Sequence, residues 1–249
     1  MATRQRIRRI ALFLILIALP ITLNYYSVFL IIQSASEGVA NFSFFFWVSF
    51  ALTSLVIGRL ACSWICPLGA VQETLDRMAE LRLKRIKYLK VIKYVLAVAW
   101  VGAIVVLVIS AGGYHKVNLL YNTESGVSVD SSMSLIAYYT VLLVPFLPAL
   151  FWGKRAFCHY FCPWGVLNTV GTKIKNLFGW PSLNLKADSS QCVNCKTCNR
   201  ECTMSLDVNA MVQRGSMDNA ECILCGSCVD NCKRGVIKYA WRREKAAGV

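Results

Sequence analysis

The chain has 249 residues, of which 56% are hydrophobic and 16% are charged, and its formal net charge is +14. This composition excludes an average soluble domain and favours a protein with membrane-spanning segments. Nucleic acid is a poor explanation for the basic charge, because the positive flanks of membrane helices and contacts with anionic lipid account for it. We therefore expect the membrane, and no nucleic acid, among the partners.

Four apolar stretches are long enough to be transmembrane helices. They are the segments 10–32, 42–61, 91–111 and 135–152. Basic residues gather in the N-terminal tail, in the connection 59–93 and from residue 154 onward, whereas the two other connections hold only Lys116. By the positive-inside rule, we expect a multi-pass protein of the inner (cytoplasmic) membrane with its N- and C-termini in the cytoplasm.

The second and fourth apolar stretches run into the same motif, C-x-x-x-C-P-x-G. It supplies two cysteine pairs, Cys62 with Cys66 and Cys158 with Cys162. Residues four apart on a helix share a face, and we expect the proline after each pair to end or bend the element. The recurrence predicts a membrane all-α domain, residues 1–187, with four transmembrane helices arranged as two parallel repeats.

A separate domain is expected from residue 188 to residue 249, where the chain becomes polar and rich in cysteine. Its eight cysteines fall in two C-x2-C-x2-C-x3-C runs, the spacing of bacterial ferredoxins with two [4Fe–4S] clusters, in which the fourth cysteine binds the other cluster. Structural zinc, the alternative, favours separated cysteine pairs. The spacing predicts one cluster on Cys192, Cys195, Cys198 and Cys232, and a second on Cys222, Cys225, Cys228 and Cys202.

The four cysteines of the repeated motif could bind a third iron–sulfur cluster. If the two repeats face each other, both pairs meet at the membrane edge and offer four thiolates, so that the twelve cysteines form three sets of four. A redox-active thiol pair is one alternative. Ordinary buried cysteines are another.

The sequence resembles a known family in these same segments. GRLACSWICPLGAVQE, GKRAFCHYFCPWGVLNT, the LNYYSVFLII of the first apolar stretch and the C-terminal double ferredoxin run are similar to the NapH/NosR-type membrane polyferredoxins, over essentially the whole chain. The resemblance implies four spans, cytoplasmic clusters and electron transfer between the quinone pool and a partner redox enzyme. The chain departs from the usual run at Thr203 and Lys233, where proline commonly follows the fourth cysteine.

A quinone site, if the chain has one, is expected at the cytoplasmic edge. A helix of about 20 residues crosses about 30 Å, and the middles of the apolar stretches offer no ligand for a cofactor that would bridge that distance. Trp64, His159 and Trp164 lie at this edge, although aromatic residues mark any membrane interface. His159, Glu73 and Asp76 are candidates for the base that accepts a proton from quinol.

The sequence favours electron transfer over substrate chemistry, because it holds no Gly-rich nucleotide loop and no nucleophile–base set. We expect a quinol dehydrogenase-type subunit whose partner redox subunits lie on the cytoplasmic side or in the membrane. Two other functions remain open. The chain could be an electron-donating assembly factor for a metalloenzyme, or a membrane anchor subunit whose clusters are structural.

Overall fold

Helices dominate the computed structural model, which describes residues 3–79, 88–123, 126–129, 131–179 and 181–241. The described residues form the helices α1 (Thr3–Thr22), α2 (Val28–Ser36), α3 (Phe42–Ile57), α4 (Leu60–Trp64), α5 (Pro67–Ala79), α6 (Leu89–Ser110), α7 (Ser132–Trp152), α8 (Ala156–Tyr160), α9 (Pro163–Phe178), α10 (Thr197–Arg200), α11 (Val208–Gln213) and α12 (Ser227–Asp230). They also form two ladders, β1 (Val39–Asn41) parallel to β2 (Lys116–Asn118) and β3 (Asn184–Ala187) antiparallel to β4 (Ile237–Ala240). The predicted helical class is confirmed.

Three helical stretches of the described chain are long and apolar enough to cross a membrane. They are Thr3–Ser36, Leu89–Ser110 and Ser132–Trp152. The first consists of α1 and α2, which a 3-10 turn at Leu23–Tyr26 separates. Pro20 lies just before this turn and cannot donate a backbone hydrogen bond to the preceding helical turn. The Ser27 side chain then caps the N-terminus of α2.

The second predicted span is shorter than its apolar sequence suggests. Helix α3 has 16 residues and ends at Ile57. It stops there because Gly58 adopts a φ of 58° and a ψ of −139°, a conformation that glycine tolerates and a helix does not. A helix needs about 20 residues to span a bilayer. The described residues therefore contain three helices of spanning length, and α3 is a shorter apolar helix, so the predicted set of four is not confirmed.

Each motif proline begins a new helix, and the five-residue helix before it ends three positions earlier, as expected for an element that stops at the proline. Pro67 and Pro163 are the first residues of α5 and α9, while Cys66 and Cys162 lie in the turns just before them. The fixed φ of proline suits the first helical position, where its missing N–H would have no partner in any case. The first cysteine of each pair lies on the preceding five-residue helix, α4 or α8.

The two motif segments pack across one another. The order of long helix, five-residue helix and proline-started helix occurs twice, as α3–α4–α5 and as α7–α8–α9. Helix α9 packs against α3, and α5 packs against α7. At the α3–α9 contact, a Cβ on Gly171 would overlap the Ser54 side chain, so glycine sets how closely these helices approach. Because each proline-started helix packs against the long helix of the other segment, both cysteine pairs lie close together.

The C-terminal region, from residue 188 onward, packs against the helical part. Its own core is formed by Val208, Met211, Val212 and Ile237. The start of α1 contacts it through a salt bridge between Arg4 and Asp230, with Nη2 and Oδ1 2.6 Å apart. Another contact comes from Gln5, whose Nε2 donates to the Cys225 carbonyl at 2.9 Å. The region is therefore fixed to the helical part at several points.

Candidate metal centres

The first ferredoxin set lines an open cavity of about 230 Å³. Its walls include the four predicted ligands Cys192, Cys195, Cys198 and Cys232. Asn194 and Lys196 adopt φ values of 58° and 56°, which turn the backbone sharply around the first three cysteines. Cys195 is exposed. This cavity therefore opens directly to the protein surface.

The second ferredoxin set lines a smaller cavity of about 20 Å³. Its walls include Cys202, Cys222, Cys225 and Cys228, so each cavity takes its fourth cysteine from the other run. The Thr203 hydroxyl lies 3.3 Å from the Cys225 sulfur, and the Leu206 N–H donates to the Cys202 sulfur at 3.4 Å. Thr203, which replaces the usual proline, thus adds a hydrogen-bonding group beside the cysteines.

The repeated motifs supply a third cavity, of about 20 Å³, between α4 and α8. It is lined by all four motif cysteines, Cys62, Cys66, Cys158 and Cys162. The Cys162 sulfur caps α9 by accepting a hydrogen bond from the Gly165 N–H at 3.3 Å. Four sulfurs around one enclosed space are the donor set that a [4Fe–4S] cluster uses. The residues present therefore fit the predicted third cluster.

Two buried arginines also line this third cavity. Arg59 and Arg155 are each 1% exposed, and each precedes the first cysteine of its motif by three residues. Arg155 Nη1 donates to the Cys62 carbonyl at 3.2 Å. Each guanidinium crosses to the other motif, because a Cβ on Gly69 would lie 3.1 Å from Arg155 Nη1, and one on Gly165 would lie 3.2 Å from Arg59 Nη2. The motif glycines make room for these side chains.

Each arginine shares a carboxylate with a second cation. Arg155 Nη2 lies 2.9 Å from Glu73 Oε2, and Arg8 binds the same carboxylate. Burial alone raises the pKa of Glu73, but the hydrogen bond from Arg8 and the charge of Arg155 outweigh burial and lower this pKa to about 2. The Glu73 carboxylate is therefore ionised and shared by two guanidinium groups.

The second carboxylate, Glu221, comes from the ferredoxin region. Its Oε2 lies 2.8 Å from Arg59 Nη1, and Lys93 binds its other oxygen. The charges of Arg59 and Lys93 outweigh burial and lower the pKa of Glu221 to about 2. Together, the four cations and two carboxylates leave a surplus of two positive charges beside the cavity. A [4Fe–4S] cluster with four thiolates carries a net negative charge of about two when oxidised, so the surroundings also fit electrostatically.

The second and third cavities share a wall. Ile223 lines both, and Cys62 packs against the buried cluster of Met204, Ile223 and Cys225. Cys228 packs in the same core as Cys198, which links the second cavity to the first. The three cavities therefore form one row, from the enclosed site between the motif helices to the exposed site at Cys195.

The three residues predicted near a quinone are placed differently from one another. Trp164 is 6% exposed, and its ring stacks on Trp47 with centroids 4.3 Å apart. His159 is 4% exposed, its Nε2 lies 2.9 Å from the Met204 carbonyl, and burial lowers its pKa to about 4. Trp64 is half-buried. Trp164 and His159 are thus core residues beside the cysteines.

Sequence reasoning missed the roles of Arg59, Arg155 and Glu221. The signal for the two arginines is present in the sequence, since R-x-x-C-x-x-x-C-P-x-G occurs in both motifs. Glu221 has no comparable signal, because its partner Arg59 is 162 positions away. For Glu73 the sequence suggests only a role as proton acceptor. Asp76, the other carboxylate considered for that role, lies 3.4 Å from Lys154 Nζ, and burial raises its pKa.

Two family models match this chain. A "4Fe-4S binding domain" matches residues 39–87 and 135–181, and a "4Fe-4S dicluster domain" matches residues 191–237. The first model covers the two motif segments, and the second covers the two ferredoxin runs. Together they cover more than half of the chain. No solved structure matches it.

Curated relatives match over about three quarters of the chain. The putative electron transport protein YccM of Escherichia coli is 24% identical over 74% of this chain and 52% of its own length. The regulatory protein NosR of Pseudomonas aeruginosa is 28% identical over 74% of this chain and 25% of its own length. The ferredoxin-type protein NapH of Haemophilus influenzae is 25% identical over 74% of this chain and 63% of its own length. The chain thus spans only part of each of these relatives.

The apolar helices and the two matching cluster-binding domains define a membrane iron–sulfur protein. Within that class, the chain belongs to the NapH/NosR-type polyferredoxins, as its paired CxxxCP motifs predict. Its role is iron–sulfur electron transfer.

Proposed function

We propose that the chain carries electrons between the membrane quinone pool and a partner redox enzyme through three [4Fe–4S] clusters in a row. The observation that carries this proposal is the adjacency of the three four-cysteine cavities, since Ile223 lines both the second and the third and Cys228 and Cys198 pack in one core. The motif cysteines would hold the cluster nearest the membrane, and the two ferredoxin sets would hold the others. Each cluster, when bound, supplies a site for one electron at a time.

The buried residues around the cysteines set the conditions for this transfer. Arg59 and Arg155 stabilise negative charge at the third cavity, where little solvent is present to do so. Ile223, which is 1% exposed, keeps water from the shared wall. Thr203 offers its hydroxyl to the Cys225 sulfur, and such hydrogen bonds tune cluster potentials.

The partner enzyme would dock at the exposed end of the row. Cys195 is exposed there, and the rim of its cavity carries Lys196, Lys233 and Arg234, all of them exposed. Basic rims steer encounters with acidic surfaces. A partner with an acidic patch, on the cytoplasmic side of an inner membrane in which both termini of this chain are cytoplasmic, fits this arrangement.

Anaerobic reduction by quinol tests the proposal. The full chain, reconstituted in nanodiscs, is mixed with menadiol or decylubiquinol, and the visible absorbance of the clusters is followed by stopped flow. We expect bleaching that an added one-electron oxidant reverses. Clusters that dithionite reduces but neither quinol does would overturn the quinone link, and clusters that no reductant changes would favour the structural anchor.

A further inference from the structure

A groove between α1 and α5 is not used by any cysteine set. Its volume is about 390 Å³, and its walls include Arg9, Ile10, Phe13, Glu73 and Thr74. Pockets that hold small organic molecules typically measure about 300–1,000 Å³. The groove is therefore large enough for a substituted aromatic ring.

One end of the groove is apolar and open toward the lipid side of α1. Ile10 and Phe13 are 52% and 60% exposed on a helix that has the length and composition of a membrane span. The other wall is polar, with Arg9, the Glu73 carboxylate that Arg8 and Arg155 also bind, and the Thr74 hydroxyl, which donates to the Ala70 carbonyl at 3.0 Å. A quinone matches both ends, because its ring carbonyls can accept hydrogen bonds from Arg9 in the wall, the hydroxyls of its reduced form can donate to the Glu73 carboxylate, and its isoprenoid tail partitions into lipid.

The groove directly adjoins the third cysteine cavity. Ala70 lines the groove, and its backbone N–H donates to the Cys66 carbonyl at 3.1 Å. Glu73 connects to the same cavity through Arg155, which donates to the Cys62 carbonyl. A ring bound in the groove would therefore be separated from the motif cysteines by only one layer of residues.

The second motif differs at the positions that make this groove polar. Counting from the motif prolines, Thr169 is the counterpart of Glu73, and Val170 is the counterpart of Thr74. Helix α9 thus carries no carboxylate there. The polar wall belongs to the first motif alone.

We propose that the groove between α1 and α5 is the binding site of the quinone headgroup, with Thr74 and Glu73 at the headgroup and Ile10 and Phe13 along the tail. This inference rests on the proposed function and locates its quinone contact in the structure. It moves the site away from Trp164 and His159, which are buried in the core.

Binding of 2-heptyl-4-hydroxyquinoline N-oxide, a quinol-site probe, tests this placement. The full chain in nanodiscs is titrated, and quenching of the probe's fluorescence gives its Kd. Thr74→Phe places a ring in the groove, and we expect it to raise the Kd by about tenfold or more. The matched control is Val170→Phe, which adds the same ring to an exposed site at the counterpart position, and we expect no change in Kd.

A second variant guards against misfolding of the first. If Thr74→Phe loses iron relative to the wild type, the Kd of the probe is measured for Phe13→Ala instead. This substitution removes an exposed side chain from the wall of the groove. We expect it to raise the Kd about threefold with full iron content. An unchanged Kd would overturn the proposed site, whether it is measured for Thr74→Phe with full iron content or, failing that, for Phe13→Ala.

Displacement of the probe by other ligands shows whether the groove binds quinone or lipid. It also distinguishes failure of the proposed groove from failure of the proposed function. We expect decylubiquinone to displace the probe from the wild type. Displacement by phosphatidylglycerol but not by decylubiquinone would make the groove a lipid site and overturn the inference. A wild type that binds neither probe nor quinone would overturn the quinone contact of the proposed function as well, whereas quinone binding that Thr74→Phe leaves intact would overturn only the groove.

Discussion

The chain holds its ferredoxin cysteines and its motif cysteines by different means. Each ferredoxin cavity takes three cysteines from one short run and one from the other run. The third cavity takes two cysteines from each of two segments that meet only because α5 packs on α7 and α9 packs on α3. Local backbone turns build the first two sites, whereas tertiary packing builds the third.

The groups that can stabilise charge also differ between the ferredoxin cavities and the third cavity. The outer ferredoxin cavity is open, so water can solvate charge at Cys195. The third cavity is enclosed, and Arg59 and Arg155 line it instead. One of their two carboxylates, Glu221, belongs to the ferredoxin region. The third site therefore depends on docking of that region, and the predictions below test this dependence.

Glu221→Ala should have the largest effect. It leaves Arg59 and Lys93 buried without their carboxylate, and breaking a buried ion pair costs about 3–5 kcal/mol. Because Glu221 is 20% exposed, we expect about 3 kcal/mol, seen as faster amide hydrogen exchange in β3 and β4. Glu201→Ala, which removes an exposed partner of Arg200, should change exchange little. Equal exchange in both variants would show that Glu221 does not fix the docking.

Gly165→Ala should destabilise the chain by about 1–3 kcal/mol, the usual cost of overpacking. The added methyl group would lie 3.2 Å from Arg59 Nη2 and 3.4 Å from the Cys158 carbonyl. The control is Gly102→Ala in α6, where nothing lies within 4 Å and alanine favours the helix. Thermal unfolding in detergent measures both variants. A midpoint for Gly165→Ala as high as that of the control would contradict the close passage of Arg59.

Arg59→Gln should lower the reduction potential of the cluster that we propose at the third cavity. Reduction adds negative charge, and removing a neighbouring positive charge disfavours it. We expect a fall of about 50 mV, given that 59 mV is a tenfold change for one electron. Potentiometric titration followed by EPR measures it, with the exposed Arg200→Gln as the control. An unchanged potential would mean that the arginine serves packing alone.

The cysteine sets are largely readable from the sequence, but their surroundings are not. Fixed spacing determines which cysteines of the two runs can meet, and the repeated motif points to the third set. The length of α3 depends on the backbone conformation of Gly58, which hydropathy does not record. Glu221 and Arg59 meet only in the folded chain, so no local pattern predicts their contact.

Trp164 illustrates how a reasonable rule can fail. Aromatic residues at a membrane edge commonly face the interface, and the sequence offers no reason to treat this one differently. Because Pro163 begins α9, Trp164 lies in its first turn, where its ring stacks on Trp47 of α3. Packing between the two motif segments therefore decides its position.

The iron content of the anaerobically purified chain tests the third site most directly. Iron and acid-labile sulfide are measured per chain in the wild type and in a Cys62→Ser, Cys158→Ser double variant. Three [4Fe–4S] clusters predict about twelve irons in the wild type and about eight in the variant. About eight irons in both proteins would contradict a cluster at the motif cysteines, and these cysteines would then act as thiols.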